Sequence, residues 1–220
     1  MNEVYTLLLR LDGPMQSWGY RSRFDYRDTA LEPTRSGVIG LICAAMGIAR
    51  SEDISRFDAI RMGVRVDRDG RLERDYHTAL DVIKADGSGK DTVVSFREYL
   101  ADASFTVGLQ SSNKELLDDI ATALLSPTWI LFLGRKSFPL TVSPVIDSLN
   151  PIKPGNLEDH LLSGESNKRV VTETPDGERT QHDWPLCFGE RQFKPRSVTV
   201  KFTPISEIPN SEEETCISPS

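Results

Sequence analysis

With 220 residues, 38% of them hydrophobic and 27% charged, the chain has enough apolar side chains for a real globular core. No apolar run approaches the roughly 20 residues that span a bilayer, and Cys43, Cys187 and Cys216 are too few and too scattered for a disulfide framework or a zinc site. A net charge of −7 argues against free nucleic-acid binding, but the charge is unevenly spread. The tail 206–220 carries Glu207, Glu212, Glu213 and Glu214 with no base and reads as an acidic disordered segment. By contrast, 20–35 is locally arginine-rich, and 191–201 carries Arg191, Lys194, Arg196 and Lys201 with no acid. The start, MNEVYTLLLRLDG, has no basic leader region, and Arg10 and Asp12 interrupt its apolar run. A strand is expected there rather than a signal peptide, in a protein of the reducing cytoplasm.

Residues 4–11 alternate, with Tyr5, Leu7, Leu9 and Leu11 on one face of a strand. The chain leaves through Gly13-Pro14 into MQSWG, a strand-end loop of the kind that often presents binding side chains. Gln16, Trp18 and the downstream Arg21 and Arg23 are candidates there; the plainer reading has Trp18 plugging the sheet edge. A buried helix follows over VIGLICAAMGI, capped by Thr34 or Ser36. A second, short helix fits SEDISRFDAI with Ser51 as cap. Met62, Val64 and Val66 alternate up to an Asp69-Gly70 turn, LERDYHTALDVI reads as extended, and KADGSGKD (84–91) reads as a loop or hairpin tip. SFREYLADASFTVGLQ predicts a long strand. SNKELLDDIATALLSP predicts a helix with a Ser112/Glu115 capping box and a buried stripe of Leu116, Leu117, Ile120 and Leu124. WILFLG predicts one more strand, left through GRKSF.

The order strand, helix, strand, strand, helix, strand is that of an α+β, ferredoxin-like or RRM-like (βαββαβ) domain over 1–148. Its open face and strand-end loops are surfaces such domains offer to single-stranded RNA. Pro151, Pro154 and Gly155 mark a boundary to a small, mostly β C-terminal region, 149–205. That region has a hairpin turning at Asp176-Gly177 and a last strand in RSVTVKFTPI.

PTRSGVIG places helix N-terminal amides beside Thr34, Arg35 and Ser36, a combination that accepts phosphate. An ordinary capped helix packed through Gly37 and Gly40 explains it equally, and no Lys-Ser/Thr follows to make a P-loop. In RDYHT, His77 assisted by Tyr76 could serve a metal-independent ribonuclease as acid or base. No second His or Lys is paired with it in sequence, and a lone strand His more often hydrogen-bonds or stacks. Arg97 and Tyr99 share one strand face and could stack on or hydrogen-bond a splayed base, or form a solvated cross-strand pair. Arg135 and Lys136 follow Gly134 at a strand exit, suited to phosphate. No nuclease-type carboxylate pair, Cys/His cluster or Ser/His/Asp set stands out, so neither metal nor cofactor is expected.

LRLDGPMQSWG, PTRSGVIGLICAAMGI, RDYHT, REYLADASFTVGL and LGRKSFPL, in that order over about the first 140 residues, together resemble the Cas-five type subunits of the CRISPR surveillance complex Cascade, subtype I-E. The C-terminal part matches much less clearly. The resemblance implies a ferredoxin-like or RRM-like core with a protruding β-hairpin thumb, here about 80–96. It implies a non-catalytic subunit of an antiviral ribonucleoprotein that caps the end where the 5′ handle of the CRISPR RNA lies. Such a subunit would contact the backbone subunit CasC and the large subunit CasA, and meet target DNA only through the complex, away from any membrane. A different subunit, CasE, cleaves the precursor RNA; a related subtype uses its Cas-five protein as the nuclease, which keeps the ribonuclease alternative open. The RNA contacts expected on this reading are Gln16, Trp18, Arg23, Thr34, Arg35, Ser36, His77, Thr78, Arg97, Tyr99, Arg135 and Lys136.

Overall fold

Leucine alternation does build the first strand of the computed structural model, which describes residues 3–19, 26–163 and 166–204. In β1 (Tyr5–Asp12), Leu7, Leu9 and Leu11 are wholly buried and Arg10 is exposed. There follow β2 (Met15–Gln16), β3 (Tyr26–Arg27), α1 (Arg35–Met46), β4 (Arg61–Arg68), β5 (Arg71–Ile83), β6 (Lys90–Ala101), β7 (Ser104–Ser111) and α2 (Lys114–Leu125). The C-terminal part adds β8 (Ile152–Pro154), α3 (Leu157–Leu161), β9 (Arg169–Glu173), β10 (Arg179–Cys187) and β11 (Gln192–Phe202). Seven strands form one sheet in the order β10-β11-β9-β4-β7-β1-β8, with every neighbouring pair antiparallel. Among the described residues no helix is long and apolar enough to cross a membrane.

The two faces of this sheet are covered differently. Leu7, Leu9, Leu11, Val64, Phe105, Val107 and Leu109 join α1 and α2 in the main core. The opposite face buries Leu8 and Val170 beneath α3 through Leu157 and Leu161. Gly63 and Gly108 are register partners directly under that helix. A methyl on Gly108 would lie 2.3 Å from Leu157 Cδ1, and one on Gly63 2.8 Å from Leu161 Cδ1. The paired glycines thus let the short helix sit against the strands.

Thr34 caps α1 as expected, accepting from the Gly37 amide, and Gly47 closes the helix in the left-handed conformation. For α2 the cap is Asn113, whose Oδ1 accepts from Leu116 N at 3.1 Å, and not Ser112; the predicted apolar stripe is buried. Residues 51–60 form only a 3-10 turn at Ser55–Phe57, with Asp53 capping Ser55 in place of Ser51.

The strand expected over 129–134 is absent. Thr128 N and Trp129 N donate instead to the carbonyls of Ala45 and Ala44, tying the segment to the end of α1. Beyond it Leu133 N reaches Phe138 O in a tight turn. The place beside β1 goes to β8, from beyond the expected boundary. The hairpin expected at Asp176-Gly177 is also corrected: β9 and β10 do not pair, because β11 lies between them. Residues 149–205 therefore extend the same sheet at both edges.

A second sheet is built around a long hairpin. β5 and β6 pair from Arg71↔Ala101 to Ile83↔Lys90, a longer arm than the resemblance implied. β2 pairs antiparallel and β3 parallel with β6 at the base of this arm.

Candidate nucleic-acid interface

Several residues that the sequence offers as contacts are interior. Gln16 is wholly buried. Its Nε2 donates to the carbonyls of Leu11 (3.2 Å) and Ala103 (2.8 Å), and its Oε1 accepts from the Trp18 indole at 3.2 Å. The amide joins the end of β1 to the start of β7 and orients Trp18, which is 2% exposed. A methyl on Gly37 would lie 2.7 Å from Trp18 Cε3, so the indole is wedged against the first turn of α1. Trp18 is a core plug whose edge reaches the wall of a cleft, whereas Gln16 is wholly interior.

Arg35 is likewise corrected. It is 1% exposed, its Nη1 donating to both Glu173 oxygens (2.9 and 3.0 Å) and to Ile60 O, its Nη2 to Phe57 O. The guanidinium lies 3.6 Å from the Trp184 ring centroid. Asp183 Oδ2 takes the Arg35 amide proton at 2.7 Å, and Arg196 closes the set with hydrogen bonds to Asp183 and Glu173. Burial weakens the hold of Arg35 on its proton; at Arg196, burial acts the same way but Asp183 and Glu173 outweigh it. The first amide of α1 is thus already answered by the Asp183 carboxylate, and Thr34 is buried in its capping role. Of this motif Thr34, Ser36 and Gly37 reach the same cleft.

That cleft, of about 860 Å³, is lined on one side by Ser17, Gly19, Arg27 and Arg135. Arg50, His182, Phe188, Arg191 and Phe193 also line it, together with Asp28. Arg27 and Arg97 are register partners across β3 and β6, so the two like charges project from the same face. Burial lowers the proton affinity of both Arg97 and Arg135, and Arg27 lowers it further in each case; Arg97 also lowers that of Arg135, and Asp75 opposes these effects. Arg27 and Arg135 in the cleft wall, with Arg97 just off its lining, gather positive charge in a place where an anion is stabilised. Arg97 donates to Ser95 Oγ (3.0 Å) and Arg135 to Glu98 O (2.7 Å), which fixes both.

The Arg135 turn depends on Gly134, at φ +89. A Cβ there would lie 1.8 Å from Ser17 O. Gly134→Ala is expected to cost about 3 kcal/mol or more in urea unfolding. Gly87→Ala, at φ +72 with nothing within 4 Å, should cost only about 1 kcal/mol.

The arm carries the remaining candidates. His77 is half-buried opposite Ser95, its Nδ1 3.8 Å from Asp75 Oδ2. Tyr76 points to the other face, so the two are not brought together as an acid–base pair. On that other face Tyr76, Phe96 and Tyr26 form an exposed aromatic row, with Arg74 over Tyr26 and Phe96. Thr78 is exposed farther out and Lys136 beside Arg135, both off the cleft lining. Tyr99 is turned inward against Phe138 (5.8 Å between centroids) rather than free to stack on a base. Arg23 lies outside the described residues. Sequence reasoning missed Arg27, Arg50, His182, Phe188 and Phe193 as a group. Its usable signals were the arginine-rich 20–35 stretch and the acid-free 191–201 stretch.

A mixed α/β fold, in which an antiparallel seven-stranded sheet carries a long hairpin arm and a guanidinium-lined cleft, is the class of protein these features define. A family model described as CRISPR-associated protein (Cas_Cas5) matches residues 6–199. The chain belongs to that family. It is 39% identical over 151 residues to the CRISPR system Cascade subunit CasD of Escherichia coli (strain K12), covering 61% of this chain and 67% of that one. A solved chain titled CRISPR RNA-guided surveillance complex superposes with a TM-score of 0.80 at 33% identity, over 90% of each chain. Another, titled Crystal structure of Cas protein, gives 0.74 at 38% identity, over 90% of this chain and 95% of that one.

Proposed function

We propose that this chain is a non-catalytic subunit of a Cascade-type CRISPR RNA-guided antiviral complex, holding the 5′ handle of the CRISPR RNA in its arginine cleft. The carrying observation is the convergence of Arg27, Arg97 and Arg135, with Asp75 as the acid that opposes them. Three charged donors on fixed backbone suit phosphates of a bound strand, which position RNA without reading its bases. The E. coli relative is named as a Cascade subunit, and a structure alike over 90% of both chains is titled as an RNA-guided complex.

On this reading the antiparallel order β8-β1-β7-β4 is the ferredoxin-like core, with β8 in the role of the fourth strand. The β5–β6 arm is the thumb, set against RNA and a neighbouring subunit. CasC and CasA are the protein partners, target DNA is met through the complex, and the site of action is the cytoplasm. The C-terminal part completes the cleft through β10 and β11, and the acidic stretch 206–220 lies outside the described residues.

The test is incubation of the purified chain with its own repeat RNA in EDTA, with and without the other Cascade subunits. Intact RNA, retained tightly only in the assembled complex, is expected. A discrete product that disappears in His77→Ala would overturn the reading in favour of a processing ribonuclease.

A further inference from the structure

The cleft has an aromatic side that phosphate binding does not require. Phe188 and Phe193 flank the turn between β10 and β11 and stand edge to face, with centroids 6.5 Å apart. Phe188 packs on the core, whereas Phe193 stays 41% exposed beside the cleft. The turn is held against the end of the α1 loop: Arg50 Nη2 donates to Phe188 O at 3.3 Å, and Gly189 passes so close that a methyl there would lie 3.2 Å from Arg50 O. Arg191 and Arg50 line the same space as Phe193, and with Arg27 and Arg135 they face Asp28 as the acid in the lining. A ring held open between guanidiniums is the arrangement by which proteins hold single-stranded nucleic acid: the bases stack while the cations take the backbone.

We infer that the β10–β11 turn is a base-stacking wall, on which one nucleobase of the RNA lies against Phe193 while Arg50 and Arg191 hold its phosphate. This rests on the handle-binding reading and adds to it a nucleobase-specific half. The apolar ring surface and the four guanidiniums together match a nucleotide better than an apolar protein segment, which would leave the arginines unpaired.

The experiment reconstitutes the complex with 2-aminopurine placed in turn at each position of the repeat-derived 5′ segment. One position is expected to be quenched in the wild type. Phe193→Ala should restore its fluorescence and weaken RNA retention about tenfold. Phe193→Leu, which keeps the apolar bulk but removes the aromatic face, should restore it too. If neither variant changes any position while Arg135→Glu still releases the RNA, the stacking wall is overturned and the handle reading stands. If Arg135→Glu has no effect either, the handle reading itself falls. Loss of a protein subunit from Phe193→Ala with the RNA signal unchanged would also overturn the inference, making the wall a protein contact.

Discussion

Glu173→Ala is expected to destabilise the protein by about 3–5 kcal/mol, read as a lower urea midpoint with little change in slope. The Glu173 carboxylate accepts from Arg35 (2.9 and 3.0 Å), from Arg196 (3.1 Å) and from the Met62 amide (2.8 Å). Alanine removes all of these at once. It leaves two buried guanidiniums sharing Asp183, already engaged by Arg196 at 2.6 and 2.9 Å and by the Arg35 amide. The cost comes chiefly from the charge left unpaired, since an intact buried pair contributes little net stability. The control follows from the same argument. The double variant Arg35→Met with Glu173→Met should lose much less than the two single losses added together, because it removes both charges. A Glu173→Ala loss below about 1 kcal/mol, the range of an exposed pair, would show that the network is not buried as described.

Arg97→Gln separates binding from folding. Arg97 makes one side-chain hydrogen bond, to Ser95, and stands among like charges from Arg27 and Arg135. Neutralising it should leave the unfolding midpoint unchanged or slightly raised. RNA retention by the assembled complex should fall about 10- to 100-fold, the range for a hydrogen bond to a charged group. The dependence of affinity on salt should become shallower by about 0.7 in the double-logarithmic slope for each lost phosphate contact on a single strand. Titration at several salt concentrations measures both. A weaker affinity with an unchanged slope would mean that Arg97 touches no phosphate.

What could be read from the chain in advance was whatever is local. The leucine alternation of residues 5–11, the Thr34 cap and the stripe from Leu116 to Leu124 depend on neighbours a few residues away, and they appear in the fold. The site residues that failed are those whose partners lie far along the chain. Arg35 looks like a surface cation until Glu173, 138 positions later, and Asp183, 148 positions later, are folded against it. Gln16 looks like a loop amide until Ala103 offers its carbonyl. Trp18 was ambiguous for the same reason, since its burial depends on the first turn of α1 at Gly37 coming against the indole. The missing strand at 129–134 has an apolar composition that suits an extended segment, but its amides find better acceptors at the end of α1. The family resemblance supplied the arm and the proposal of RNA as ligand, while the basic C-terminal stretch could be seen as a charge pattern without a place.

The Arg35 network also has an order in time. Arg35 leaves the ribosome well before its counter-charges, which arrive with β9 and β10. Until then the Arg35 guanidinium has the carbonyls of Phe57 and Ile60 but neither carboxylate, and a cation without its counter-charge favours water. Docking of the first helix on the sheet is therefore disfavoured until β9 and β10 are made, and the cleft, which β10 and β11 help to line, is not finished earlier. Long-range pairings of this kind slow folding, and here they also defer a finished cleft until β11 has been made.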